Sequence, residues 1–201
     1  MNFVDACQYG YLKKAKKIFE ENKEIDIHDK DEDAFRWACY NGHLEVAKWL
    51  LEISVEKKLG IINIHVYDDE AFRYACLKDH LKVAKWLIEI SEEKKLGIIN
   101  IHVYDDEAFR YTCWNGHLKV AKWLIEISEE KKLICGSSAI ALQADSDLLQ
   151  GLGAIDIHAC DEYAFRSACD HNHLHIAKWL LSLYSYRKLK NLNHPLAKEE
   201  L

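Results

Sequence analysis

Apolar residues recur along this chain at helical spacing, in short stretches divided by polar turns. Phe35, Ala38 and Cys39 fall at i, i+3 and i+4, a single apolar stripe that Asn41-Gly42 ends. A second helix is predicted from about His43 to Lys58. Leu44, Ala47, Leu50 and Leu51 line its buried side, and Val46 and Ile53 widen it. Lys57 and Lys58 in the last turn, followed by Gly60, form a sound stop. Ahead of the first helix stands an acidic cluster, Asp31-Glu32-Asp33. Its carboxylates are expected to cap free N–H groups and to complement the positive helix end.

The same pattern returns. Ile25-Asp-Ile-His28, Ile62-Asn-Ile-His65, Ile99-Asn-Ile-His102 and Ile155-Asp-Ile-His158 are extended lead-ins whose histidines lie 37, 37 and 56 residues apart. Ala-Phe-Arg follows at Ala34, Ala71, Ala108 and Ala164. His-Leu-x-x-Ala-Lys-Trp-Leu begins at His43, His80, His117 and His173. Segments 59–96 and 96–133 differ at only four of 38 positions, a recent duplication. A helix pair of this kind cannot bury its apolar faces alone, whereas stacked copies can. Ala6, Cys7, Gly10, Leu12 and Ala15 match Ala38, Cys39, Gly42, Leu44 and Ala47, which makes the N-terminal segment a degraded copy.

The expectation is an all-α, elongated solenoid of about five stacked helix pairs in one domain, residues 1–201. Its parts are a degenerate repeat 2–24, repeats at about 25–61, 62–98, 99–133 and 155–186, an insert 134–153 and a C-terminal tail 187–201. In the insert, 134–138 reads as a loop and 139–152 as a short amphipathic helix. The whole is expected to be a surface excursion from the stack.

Ala38-Cys-Tyr-Asn-Gly-His-Leu-Glu-Val-Ala-Lys-Trp-Leu-Leu51 resembles the ankyrin repeat, whose helices read A-A-x-x-G-H-L-E-V-V-x-x-L-L. Ile25-Asp26 stands where that family has Val-Asn. The resemblance covers about residues 2–185. It departs from the family in three ways: Asp33-Ala34-Phe35-Arg36 replaces T-P-L-H, the turn glycine before it is missing, and the period is 37. The excess is assigned to a longer second helix. This variant resembles the ankyrin repeat proteins of giant DNA viruses of amoebae. What the resemblance implies is a non-catalytic protein–protein interaction module that binds on the concave face of the stack.

Composition narrows the rest. Hydrophobic residues are 49% and charged residues 30%, so the chain can bury a core. A net charge of −6 argues against nucleic acid as a partner, which needs a basic stripe. No apolar run approaches a membrane span, and no export signal is visible, so a cytoplasmic monomer is expected, in host cytoplasm or nucleus if viral. Seven cysteines without a C-x-x-C pair read as reduced thiols. Cys39, Cys76, Cys113 and Cys169 occupy a small-residue core position. His28, His65, His102 and His158 lie in successive layers about 8–10 Å apart, too far to share one zinc ion. His171-Asn-His173-Leu-His175 is one repeat histidine with two extras, and no cofactor or metal is assigned. Lys48, Lys85, Lys122 and Lys178 read as a solvated row, and Trp49, Trp86, Trp123 and Trp179 as core. The rival readings are a metal- or thiol-dependent redox protein and a viral adaptor for ubiquitin ligation.

The partner face is expected where the near-identical repeats differ: Ala75/Thr112, Leu77/Trp114, Lys78/Asn115 and Asp79/Gly116. The candidate binding residues are Tyr40, Asn41, Leu77, Lys78, Trp114, Asn115, Asp170 and His171 at the ends of the first helices, with Tyr67 and Tyr104 on the turn tips. Exposed Trp beside Tyr is the composition of binding hot spots. Acid at the tips (Asp29, Asp31, Glu32, Asp33; Asp68, Asp69, Glu70; Asp105, Asp106, Glu107; Asp161, Glu162) suits a partner with a basic segment.

Overall fold

The polar residue between the two isoleucines closes an Asx turn in three of the lead-ins. In the computed structural model, which describes residues 1–137 and 154–184, His28 N donates to Asp26 Oδ1 at 2.9 Å, His65 N to Asn63 Oδ1 at 3.0 Å and His158 N to Asp156 Oδ1 at 2.9 Å. The isoleucines beside them, Ile27, Ile62, Ile64, Ile99, Ile101 and Ile155, are buried.

After the histidine the backbone makes an unusual move. Lys30-Asp31-Glu32, Tyr67-Asp68-Asp69, Tyr104-Asp105-Asp106 and Cys160-Asp161-Glu162 are all left-handed, with φ between 51° and 62°. None is glycine. Left-handed L-residues cost roughly 1–2 kcal/mol each and persist only where the surroundings hold them. The arginine of Ala-Phe-Arg does the holding. Arg36 Nε donates to Asp31 O at 2.8 Å and its Nη2 to Lys30 O at 3.2 Å. Arg73 reaches Asp68 O and Tyr67 O, both at 2.9 Å. Arg110 reaches Asp105 O at 2.7 Å and Tyr104 O at 2.8 Å, and Arg166 reaches Cys160 O at 3.2 Å. A forked, rigid donor set suits two adjacent carbonyls in a way a lysine ammonium does not.

Right-handed helix follows each turn. The described residues hold ten helices and no strand: α1 Phe3–Gln8, α2 Leu12–Glu21, α3 Asp29–Tyr40, α4 Leu44–Glu56, α5 Val66–Leu77, α6 Leu81–Glu93, α7 Val103–Trp114, α8 Leu118–Ser137, α9 Ala159–Asp170 and α10 Leu174–Leu183. The chain divides into two units, Met1–Ile101 and His102–Leu201. In the first, three helix pairs stack through α1 on α3 and α3 on α5. In the second, two pairs stack through α7 on α9. The expected all-α stack of helix pairs is therefore present. α4 and α6 have 13 residues against 10 in α2, which places the longer period in the second helix.

Phe35, Phe72, Phe109 and Phe165 are fully buried. Tryptophans of the second helices pack on phenylalanines of the preceding pair: Trp49 on Phe3, Trp86 on Phe35 and Trp179 on Phe109, with ring centroids 6.1, 6.3 and 6.4 Å apart. Trp49 and Trp123 are buried, and Trp86 and Trp179 half-buried. The lysine row is less idle than its sequence suggests. Lys16 lies over the Trp49 ring at 5.8 Å and Lys122 over Trp179 at 5.9 Å, each cation meeting the indole of the next repeat. Leu44, expected in the core, is half-buried at the first position of α4.

His28, His65, His102 and His158, which precede α3, α5, α7 and α9, make no side-chain cap bond, and the left-handed residues lie in the first turn of each of those ranges. One expectation fails. Residues 134–137, expected as loop, continue α8 to Ser137. In α4 and α6 the stop is a left-handed Lys58 or Lys95 followed two residues later by Gly60 or Gly97. In the fourth copy Ile134 stands in place of that glycine, and the stop is lost. The helix expected at 139–152 and the tail 187–201 lie outside the described residues.

Lys58 (φ 55°) and Lys95 (φ 52°) occupy the position after the C-cap, where glycine is at ease. Lys58→Gly and Lys95→Gly should each raise stability by about 0.5–1 kcal/mol. The check is a higher urea midpoint at an unchanged slope.

Candidate functional site

Each turn tip offers three acidic or polar side chains, and the left-handed backbone sorts them by direction. The third residue turns inward: Glu32, Asp69 and Asp106 are 6%, 4% and 5% exposed. One side of each carboxylate accepts a backbone N–H of the next lead-in. Asn63 N donates to Glu32 at 3.0 Å, Asn100 N to Asp69 at 2.8 Å and Asp156 N to Asp106 at 2.8 Å. Each carboxylate also meets the histidine four residues earlier, pairing His28 with Glu32, His65 with Asp69, His102 with Asp106 and His158 with Glu162; Asp69 and Asp106 use their other oxygen for this, and Glu32 the oxygen that accepts Asn63 N as well. At Glu162 a phenol takes the place of a next repeat: Tyr184 OH donates to its carboxylate at 2.7 Å. Burial first, and then that carboxylate, push the Tyr184 phenol far up.

These acids are fasteners between repeats and are not available to a partner, which corrects the reading of the whole cluster as a free acidic surface. Glu70 is also engaged, by Arg36, which pairs with Asp33 at 3.2 Å as well. What remains exposed is one aspartate per tip, namely Asp31, Asp68, Asp105 and Asp161, together with Asp29. Tyr67 and Tyr104 stand exposed on the same tips, at 52% and 55%. Tyr67 OH donates to Asp31 and its ring lies 4.9 Å from the Arg36 guanidinium. The Asp31 hydrogen bond pushes the Tyr67 phenol up.

The helix ends hold the other expected residues. In the first unit, Tyr40 meets Trp37 and Tyr74 with ring centroids 5.2 and 5.3 Å away, and the Lys78 ammonium lies 5.0 Å over its ring. Asn41 Nδ2 donates to Trp37 O at 3.0 Å, Leu77 is half-buried and Lys78 exposed. In the second unit, Trp114 is half-buried between Tyr111 and His171, at 5.2 and 5.3 Å, which corrects the expectation of a freely exposed indole. Its N–H donates to His171 Nε2, while His171 Nδ1 lies 3.0 Å from Ser167 O, so both ring nitrogens are engaged. Asn115 Nδ2 donates to Tyr111 O at 2.8 Å, and Asp170 and His171 are exposed. Of the other differing positions, Ala75 and Thr112 are fully buried and present nothing to a partner.

The sequence reading passed over Trp37, Tyr74, Tyr111 and Tyr163, whose rings complete both clusters. Tyr111 and Tyr163 lie 6.2 Å apart, with Arg110 5.2 Å over Tyr163. A signal was there: the residue after each Ala-Phe-Arg is Trp37, Tyr74 or Tyr111 in three copies.

Nucleophile and metal chemistry find little to build on. Cys7, Cys39, Cys76 and Cys113 are buried thiols outside any disulfide. Burial pushes the Cys7 thiol up to about 12 and the other three higher, away from the thiolate a nucleophile needs. Cys169 is raised to about 11 by burial and by Asp170. Among the described residues no group of three or more His, Cys, Asp or Glu could hold a metal ion. Neighbouring rings of His171, His173 and His175 have centroids 6.4 and 6.2 Å apart. No described helix is long and apolar enough to cross a membrane.

Residues 3–97 match the family model described as ankyrin repeats, three copies, and that span covers α1 to α6. The all-α stack of helix pairs is consistent with an ankyrin-repeat solenoid, and ankyrin repeats are generally protein–protein interaction modules and typically non-catalytic. No curated protein matches the chain.

Proposed function

We propose that this chain is a non-catalytic module that binds a partner protein across the ends of its first helices and its turn tips. The residues engaged are Tyr40, Asn41, Tyr67, Leu77 and Lys78 in the first unit and Tyr104, Trp114, Asn115, Asp170 and His171 in the second. The observation that carries the reading is the pair of aromatic clusters, Trp37–Tyr40–Tyr74 under Lys78 and Tyr111–Trp114–His171 beside Tyr163. Large rings already held by neighbours lose little freedom on binding, which is what makes them efficient contact surface.

The partner carries a basic segment that meets Asp31, Asp68, Asp105 and Asp161, the acids the fold leaves outside. A host-cell protein is the target if the chain is viral, as its variant repeats suggest. Affinity capture from such cells followed by mass spectrometry identifies the partner. Against it, Trp114→Ala should weaken binding by about 2 kcal/mol or more, and Tyr40→Ala likewise. Binding should also weaken as salt rises, because exposed charge pairs are screened. Unchanged affinity in both alanine variants would place the binding surface elsewhere.

A further inference from the structure

We propose that His65 is a proton-operated latch on the left-handed turn that presents Tyr67 and Asp68. Protonated, it bonds at both ring nitrogens and closes the turn; deprotonated, it keeps one bond and the turn loosens.

The geometry demands two donors. His65 Nδ1 faces Asp69 Oδ1 and its Nε2 faces Leu96 O at 3.1 Å. Both partners are acceptors, and a neutral imidazole has a single N–H, so only the imidazolium satisfies both. Neither acceptor is free to turn away. Asp69 is buried, and its other oxygen accepts Asn100 N at 2.8 Å. Leu96 is fixed by its own N–H, which donates to Ser91 O at 2.9 Å. Gly97 lets the segment approach: a Cβ there would stand 2.7 Å from His65 Nε2, and its φ is +116°. The bonds from His65 to Asp69 enclose the three left-handed residues 67–69, so the latch spans the turn itself.

His28 marks the contrast within the same unit. Its Nδ1 bonds Glu32, and its buried Nε2 has no hydrogen-bond partner, so no second acceptor there calls for a second ring N–H.

The charged groups around His65 are Asp69, Asp68, Glu70 and Arg73 on its own turn and helix. From the preceding turn, Glu32 holds Asn63 N, two residues before His65, Arg36 holds Glu70 and Asp31 accepts Tyr67 OH. The segment after α6 brings the Leu96 carbonyl and Asn100, behind the exposed Lys94 and Lys95. The Asp69 hydrogen bond raises His65 above the ordinary histidine value, against the opposing effect of burial. The stabilisation is therefore complete below about pH 6.5 and is lost as pH rises through the raised value. His43 acts in the other direction: burial lowers it, and its contribution is lost as pH falls below the ordinary value.

The test is a histidine titration of the full chain by nitrogen-detected NMR from about pH 5 to 8, with amide hydrogen exchange alongside. His65 should titrate above the ordinary histidine value, with both ring nitrogens protonated below its midpoint. Exchange at the Asp69 and Asn100 amides should speed several-fold as His65 loses its proton. His65→Gln should abolish that step and leave the His43 step in place. A His65 midpoint at or below the ordinary histidine value, or flat protection at Asn100 across its titration, overturns the latch. Those wild-type readouts decide the matter even if His65→Gln fails to fold. The latch itself does not rest on the protein-binding reading. Only its consequence, tighter presentation of Tyr67 and Asp68 to a partner at lower pH, does, and a failed capture would leave the titration result standing.

Discussion

Trp123→Ala is expected to destabilise its unit by about 3–5 kcal/mol, the range for removing a buried aromatic side chain from a packed layer. Trp123 is 8% exposed on α8, in the position where Trp49 packs on Phe3 and Phe19, both at 6.1 Å. No smaller side chain fills such a gap, because neighbouring helices are held at fixed spacing by their other contacts. Trp114→Ala is the companion measurement. That ring is half-buried at the end of α7, and its loss should cost less than about 1.5 kcal/mol, the worth of a ring–ring contact or a hydrogen bond. Urea melts of both variants followed by helical circular dichroism decide between the faces. A severe loss in Trp114→Ala with little change in Trp123→Ala would mean that the packed and partner faces have been assigned the wrong way round.

Asp106→Ala should cost about 2–3 kcal/mol. Its carboxylate accepts Asp156 N at 2.8 Å and pairs with His102, and it is 5% exposed. Removing it strips the acceptor from the Asp156 N–H and the partner from His102, and groups left without a partner cost more than the bond itself contributes. The effect has a particular location. Asp106 and Asp156 lie on opposite sides of the long interval between the third and fourth lead-ins, so this bond ties the last repeat to its predecessor across that interval. Ile155 N, which donates to Ser128 Oγ at 3.4 Å, is the weaker second tie. Hydrogen exchange should therefore rise at Asp156 and Ile155 before it rises in α7. Asp105→Asn, at the exposed neighbouring position, keeps a residue that tolerates left-handed backbone and should change stability by less than about 0.5 kcal/mol. If the two variants melt alike, the fastener role of Asp106 is wrong.

Much of the architecture could be read from residues alone. The stripe of Phe35, Ala38 and Cys39 and the run from Val46 to Ile53 recur at one interval, and each proves to be a helix face turned to the core. The degraded first copy was legible because Ala6, Cys7 and Ala15 keep the small buried positions, and all three are fully buried. The candidate site was half legible. Variation between two otherwise identical repeats pointed to Leu77/Trp114 and Lys78/Asn115, but it also pointed to Ala75/Thr112, which lie inside. Variation marks positions that differ, and only packing says which of them face outward.

The sequence by itself determined the repeat, its helix pairs and the apolar side of each helix. In a stack every unit touches only its neighbours, so the pattern within one interval specifies nearly all of its burial. The tertiary structure decided what the polar residues do. Asp31, Glu32 and Asp33 are chemically near-equivalent in a row. Three consecutive left-handed residues point the first to solvent, bury the second against the next repeat and leave the third beside Arg36. No propensity predicts that turn, because none of its residues is glycine. It exists through bonds the pattern does not display: an arginine six residues on that holds two carbonyls, and a carboxylate that reaches a backbone N–H 31 residues away.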